Sequence, residues 1–195
     1  LRRSRGLGDV YKRQSNIISK ILVSRGVDNY AAAQNYFRPN FNQFHDGFLM
    51  KGMQKSITRL NSAVRKNESI LIYGDYDVDG TCSVALMVEF LKKINAKVMH
   101  YQPHREIEGY GISLKSVAWC KDNSIDLVIA LDCGIKDLKA SKSLKENNVD
   151  LIICDHHKPG ELLPEAFSIL NPKQYDCEYP FKELCGCGIG FKLIQ

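Results

Sequence analysis

The stretch Ile70–Gly80, ILIYGDYDVDG, decides the fold of this chain. Its first four residues are an uninterrupted apolar run, the pattern of a strand buried on both faces. The run ends in an acidic turn carrying Asp75, Asp77 and Asp79, and a helical stretch, SVALMVEFLKKI (83–94), follows. The same order returns twice. DLVIALD (126–132) ends in Asp132 and leads into the amphipathic IKDLKASKSLKENN (135–148). DLIICD (150–155) ends in Asp155, with His156 and His157 next. KVMHYQ (97–102) and FSILNP (167–172) read as further strands and SLKSVAWCKDN (113–123) as a helix. Strands alternating with helices specify a parallel sheet. Residues 68–195 are therefore expected to form a doubly wound α/β fold, with a mostly parallel five-stranded sheet and flanking helices.

Upstream the periodicity is helical. Residues 16–23 (NIISKILV) and 28–37 (DNYAAAQNYF) read as helices, with Gly26 between them and Pro39 after the second. Met53, Ile57, Leu60 and Val64 recur at helical spacing and predict a helix over 51–66, broken by Asn67 and Glu68. A helical segment over 15–67 thus precedes the sheet domain. Residues 1–14, LRRSRGLGDVYKRQ, have no clear period and resemble adapter-derived sequence translated at the end of a gene fragment; they are read as a non-native tail.

Composition sets the outer bounds. The chain has 195 residues, 44% of them hydrophobic and 25% charged, which excludes a disordered tail, a collagen-like fibre and a coiled-coil rod. No run of 18 apolar residues exists, so no membrane-spanning helix is expected. The formal charge is +5, but Arg2, Arg3, Arg5, Lys12 and Arg13 against Asp9 put +4 of it in residues 1–14. Bulk charge therefore says little about nucleic acid. Seven cysteines, several in apolar runs, fit a reduced, cytoplasmic protein. Cys177, Cys185 and Cys187 lack the second close pair of a structural zinc site.

Open parallel sheets bind ligands beyond the carboxyl ends of their strands, so the acidic and imidazole groups at those ends would meet at one rim. Singly, each has an ordinary explanation. Asp75, Asp77 and Asp79 are good turn and helix-capping residues. An Asp-rich turn ending in Gly suggests a calcium loop, but its twelfth position is Leu86 rather than Glu. A lone strand-end Asp or His is usually structural. Together they crowd carboxylates at a cost that a divalent cation removes. Oxygen ligands mixed with imidazole suit Mn²⁺ or Mg²⁺, and two such ions sharing a carboxylate serve phosphoester or phosphoanhydride hydrolysis.

YGDYDVDG, LDCGI and DHHKPG resemble the first three motifs of the DHH phosphoesterases. SRGV (24–27), AAAQNYFRP (31–39), PHREIEGYGI (103–112), ILNPKQ (169–174) and LCGCGIGFKL (184–193) are similar to the RecJ-type single-strand-specific exonuclease branch, and the likeness spans residues 16–195. It implies 5′-to-3′ exonuclease activity on single-stranded DNA, releasing 5′-mononucleotides with Mn²⁺ or Mg²⁺, in DNA repair and recombination. Asp77 and Asp79 would be first-motif ligands, Asp132 a bridging second-motif ligand and His156 a third-motif ligand. His157 would ligate or contact the scissile phosphate. Asp75 and Asp155 would orient ligands, with Asp155 holding a His tautomer. Arg105 would contact a substrate phosphate or pair with Glu106 or Glu108. Gly188 would sit where a helix N-terminus holds phosphate or packs closely, and Tyr76 and Tyr110 would stack on bases or pack.

The resemblance also places a single-strand-binding protein and a recombination helicase among the partners. It implies a fourth motif with another Asp ligand, and accessory domains, beyond Gln195. On that reading the chain is the N-terminal part of a longer enzyme, with weak metal binding and little processive activity of its own. Two alternatives remain. One is another DHH enzyme, acting on cyclic dinucleotides, short oligoribonucleotides or pyrophosphate; such relatives place His four residues before the first Asp ligand, where this chain has Tyr73. The other is a non-catalytic, replication-associated scaffold.

Overall fold

The computed structural model describes residues 16–195, and the basic tail at 1–14 lies outside the described residues. The chain divides into two compact units between Phe44 and His45, rather than at the expected 67/68 boundary. The first holds α1 (Asn16–Ser24) and α2 (Tyr30–Phe37). Asn29 caps α2, its side chain accepting the Ala32 N–H at 2.9 Å. Leu22, Val27 and Ala33 form this unit's small buried cluster.

The second unit is a three-layer α/β/α sandwich. In chain order it contains α3 (Met53–Arg65), β1 (Ile70–Gly74), α4 (Val78–Lys93), β2 (Val98–Tyr101), α5 (Leu114–Asp122) and β3 (Leu127–Leu131). Then come α6 (Leu138–Glu146), β4 (Asp150–Cys154), β5 (Ser168–Leu170) and α7 (Gly186–Ile194). The five strands are all parallel, in the order β2-β1-β3-β4-β5. Every residue of β1 and β3 is buried, as the unbroken apolar runs require. Alternate residues feed opposite faces. Ile70 and Ile72 join Leu60 of α3, Met87 and Leu91 of α4 and Ile189 of α7. Leu71 and Tyr73 join Val117 of α5 and Leu144 of α6. The apolar face of α3 buries Met53, Leu60 and Ala63 in the first of these layers, so α3 belongs to the sheet unit and not to a separate helical segment.

Helix ends follow the sequence chemistry. α3, α4, α5 and α6 each give way to a residue at positive φ: Asn67, Asn95, Ser124 and Asn148. Asn is the commonest non-glycine residue in that left-handed stop. One boundary differs from the expectation. α4 begins at Val78, not at 83, because the Asp77 side chain accepts the Gly80 N–H and caps the helix inside the acidic turn. Asp79 therefore sits in the first turn of a helix rather than in a loop.

Candidate metal centre

Strand register builds the site. Gly74, Leu131, Cys154 and Leu170 are successive partners at the carboxyl ends of β1, β3, β4 and β5. The next residue on each strand continues the ladder. Asp75 N–H donates to Leu131 O, Asp132 N–H to Cys154 O and Asp155 N–H to Leu170 O, at 3.3, 2.9 and 3.0 Å. Asp75, Asp132 and Asp155 thus stand in one row, with strands spaced about 4.8 Å apart. The row crosses the gap between β1 and β3, where the strand order reverses and open sheets bind ligands.

All three carboxylates are buried, at 3%, 1% and 0% exposure. Asp155 is satisfied: Oδ2 accepts the Ile135 N–H at 3.0 Å, and Oδ1 accepts the His157 N–H at 3.1 Å. Asp75 Oδ1 and Asp132 Oδ1 are buried with no hydrogen-bond partner. Burial pushes the Asp132 carboxyl up to about 8, with the charges of Asp79, Asp77, Asp155 and Asp75 adding to the effect. Burial, with Asp77 nearby, raises Asp75 as well, against the lowering effect of the Tyr76 N–H. Asp132 also adopts a left-handed backbone, φ 63°, a conformation that clusters at functional sites.

Two sets of donor atoms converge within 4.8 Å of one another: Asp75, Asp77 and Asp132, and Asp132, His156 and His157. Asp132 belongs to both. His156 Nε2 lies 3.2 Å from Asp132 Oδ1, close but not aligned as a hydrogen bond. His157 Nδ1 lies 2.7 Å from Asp155 Oδ1. Because that carboxylate accepts only, the contact favours the tautomer with its proton on Nδ1 and its lone pair on Nε2, and Tyr110 Oη lies 3.4 Å from Nε2.

Asp79 stands in neither set. Its two oxygens accept the Cys187 and Gly186 N–H groups at 2.8 and 2.7 Å, at the first turn of α7, and Oδ2 lies 4.0 Å from His156 Nε2. The anion at the α7 N-terminus is therefore this carboxylate. Gly188, further into α7, turns its N–H to Cys185 Sγ at 3.4 Å. The glycines lie within α7, not ahead of it, and close packing explains two of them. A Cβ on Gly186 would come 2.5 Å from Asp132 Oδ1, and one on Gly190 would come 3.3 Å from Leu131. Arg105 makes no ion pair with Glu106 or Glu108 among the described residues; its guanidinium lies 5.2 Å from the Tyr76 ring. Glu108 instead accepts from Tyr101 Oη, Ser113 Oγ and the His104 N–H. Asp137 went unread in the sequence, although it caps nothing at the start of α6 and reaches across to Ile112.

Residues 69–195 match the family described as "DHH family, N-terminal domain". The chain belongs to the DHH family. Among curated DHH relatives, it is 41% identical over 179 residues to the "Single-stranded-DNA-specific exonuclease RecJ" of Bacillus subtilis, covering 92% of this chain and 23% of the relative. It is 34% identical to the protein of that name from Dickeya dadantii, over 92% of this chain and 31% of the relative. The chain thus spans about a quarter to a third of these relatives' length. Two solved structures share its architecture. An exonuclease RecJ bound to manganese superposes with TM-score 0.69 at 32% identity, covering 74% of this chain and 37% of that one. RecJ with Mn²⁺ from Thermus thermophilus superposes with TM-score 0.69 at 26% identity, covering 89% of this chain and 23% of that one.

Proposed function

We propose that this chain supplies a metal-binding part of a 5′-to-3′ exonuclease that hydrolyses single-stranded DNA to 5′-mononucleotides, in DNA repair and recombination. The observation that carries the reading is the pair of buried, unpartnered oxygens, Asp75 Oδ1 and Asp132 Oδ1, at the meeting of two donor sets. Buried carboxylate atoms without a compensating partner are costly, and a hard divalent cation removes that cost. Carboxylate oxygen with imidazole fits Mn²⁺ or Mg²⁺. Asp75, Asp77 and Asp132 would hold one ion, and Asp132, His156 and His157 a second, with Asp132 shared. A bound Mn²⁺ or Mg²⁺ acidifies water and offsets phosphate charge.

The residues divide the remaining work. Asp155 holds the His157 ring through Nδ1, in line with the tautomer-holding role expected for it. Asp79 is the ligand candidate furthest committed elsewhere, since both its oxygens already accept from α7; its Oδ2 lies 4.0 Å from His156 Nε2. Arg105 on its exposed loop is the candidate contact to a substrate phosphate, and Gly188 a candidate for backbone contact. The names of the relatives support DNA as the substrate. Single-strand-binding protein and a recombination helicase are the partners, and the cytoplasm the compartment, that accompany this reading. No helix among the described residues is long and apolar enough to cross a membrane.

The test uses a chimera in which residues 16–195 replace the matching segment of the Bacillus subtilis relative. Mn²⁺-dependent release of mononucleotides from 5′-phosphorylated single-stranded DNA is expected, and Asp132→Ala should abolish it. Equal activity in the variant sinks the shared-ligand assignment. Cleavage of cyclic dinucleotides or pyrophosphate instead of DNA moves the chain to another DHH activity.

A further inference from the structure

Asp137 occupies the residue before α6, where an aspartate ordinarily caps the helix by accepting one of its first N–H groups. It makes no such bond. Its carboxylate turns the other way, and Oδ2 accepts the Ile112 N–H at 2.7 Å. It also lies flat against Gly111, where any Cβ would come within 2.6 Å of both carboxylate oxygens. A helix cap has been given up to hold a loop, and departures of that kind from local preference concentrate at functional sites.

The loop it holds is tied from every side. Tyr73 Oη donates to Gly111 O at 2.7 Å from the buried end of β1. Glu108 gathers three donors, from Tyr101, His104 and Ser113. Gly109 and Gly111 both have positive φ, 76° and 87°, so the backbone on either side of Tyr110 takes a path that other residues resist. These restraints share one product, the place of the Tyr110 hydroxyl. That hydroxyl donates to Asp132 O at 3.2 Å and lies 2.9 Å from His157 Nδ1 and 3.4 Å from its Nε2. With the Nδ1 proton directed at Asp155, the phenol oxygen is its second acceptor, so Tyr110 bridges the backbone of Asp132 to the ring of His157.

We propose that Asp137 is a positioning residue: by clamping Gly111 and Ile112 it holds Tyr110 against His157, and so keeps the imidazole turned with Nε2 toward the metal centre. The proposal rests on the metal reading above for its consequence, but the clamp itself is a property of the metal-free chain.

The experiment compares Asp137→Ser, Asp137→Asn and Tyr110→Phe in the 195-residue chain. Serine is a strong helix cap but one atom too short for Ile112, so it separates the clamp from any capping role and favours folding. Asparagine keeps an oxygen acceptor at the right reach. The first readout is the ¹⁵N and ¹H resonances of the His157 ring in metal-free protein; the second is Mn²⁺ affinity by titration. Asp137→Ser and Tyr110→Phe should both shift and broaden the His157 ring signals and weaken Mn²⁺ binding about 10-fold, the lower end of the range for groups that orient a ligating His. Asp137→Asn should stay near wild type in both. Unchanged His157 signals in Asp137→Ser overturn the proposal, as do unchanged signals in Tyr110→Phe, whose Asp137 clamp is intact. If wild type itself binds no Mn²⁺, the metal reading fails while the ring signals still decide the clamp.

Discussion

Replacing Asp132 by Asn should stabilise the metal-free protein while removing its response to metal. Asn is the appropriate substitute because it tolerates the φ of 63° at this position, whereas Ala would add backbone strain to the measurement. The Asp132 carboxyl is pushed up to about 8 by burial and by the surrounding aspartates. A carboxyl raised in the folded state binds its proton more tightly there than when unfolded. Stability is therefore fully present below the unfolded value near 4 and is lost as pH rises through about 8. Near pH 7 the linkage integral approaches 4 kcal/mol, and allowing half for relaxation and water entry leaves about 2 kcal/mol. For a chain of this size that is about 4–8 °C in melting temperature. The assay is thermal unfolding of both proteins in chelator from pH 4.5 to 8.5. The curves should meet near pH 4.5 and separate with the variant higher as pH rises. Added Mn²⁺ should raise the wild-type midpoint by mass action and leave the variant nearly unmoved. A variant that is no more stable than wild type across this range refutes the charge argument. An undiminished Mn²⁺ shift in the variant refutes the ligand assignment.

Three further outcomes follow from contacts elsewhere in the site. Gly186→Ala places a methyl 2.5 Å from Asp132 Oδ1; it should cost about 1–3 kcal/mol in urea unfolding and weaken Mn²⁺ binding, whereas Gly26→Ala, which meets nothing within 4 Å, should leave metal affinity unchanged. Tyr73→Phe removes the donor to Gly111 O and leaves a carbonyl unpaired, for about 1–2 kcal/mol by denaturant titration. Asp79→Asn turns one of the two acceptors facing the α7 N–H groups into a donor; about 1–3 kcal/mol is expected, with faster amide exchange at Gly186 and Cys187 than in wild type.

The sheet was legible because its strands announce themselves. ILIY and LVIAL have no polar alternation, and the residues that follow them carry the acidic groups, so both fold and rim are readable in the sequence. Five parallel strands and flanking helices are found. What pattern alone could not supply was register. That Asp75, Asp132 and Asp155 share one row depends on which residue of each strand faces which, and nothing local to the three motifs fixes that pairing. The start of α4 was misplaced by five residues because the acidic turn reads equally as loop or cap; the Asp77–Gly80 bond decides it. α3 was assigned to the N-terminal segment because its amphipathic period shows that a face is buried but not against what. Asp137 left no signal, since its role depends on a contact 25 residues away that violates the local capping preference.

The placement of the carboxylates also explains why the demand for a cation falls where it does. Four of the aspartates at this rim have protein partners for their charge. Asp155 has the Ile135 and His157 N–H groups, Asp79 has the N-terminus of α7, Asp77 has Gly80, and Asp137 has Ile112. The fold could have treated Asp75 and Asp132 in the same way, because backbone donors are plentiful at strand ends and helix starts. Asp155 shows that a residue whose own N–H extends the ladder can still find donors for its carboxylate, yet one oxygen each of Asp75 and Asp132 is left buried without a hydrogen bond. Those two residues are adjacent in the row, on either side of the reversal in strand order, and Asp132 is common to both donor sets. A structural aspartate in such a position would be expected to find donors for both oxygens; a ligand keeps at least one oxygen open. One buried oxygen on each of Asp75 and Asp132 without a hydrogen bond, beside neighbours whose carboxylates accept backbone N–H groups, is the feature expected of a metal-binding rim rather than a merely acidic one.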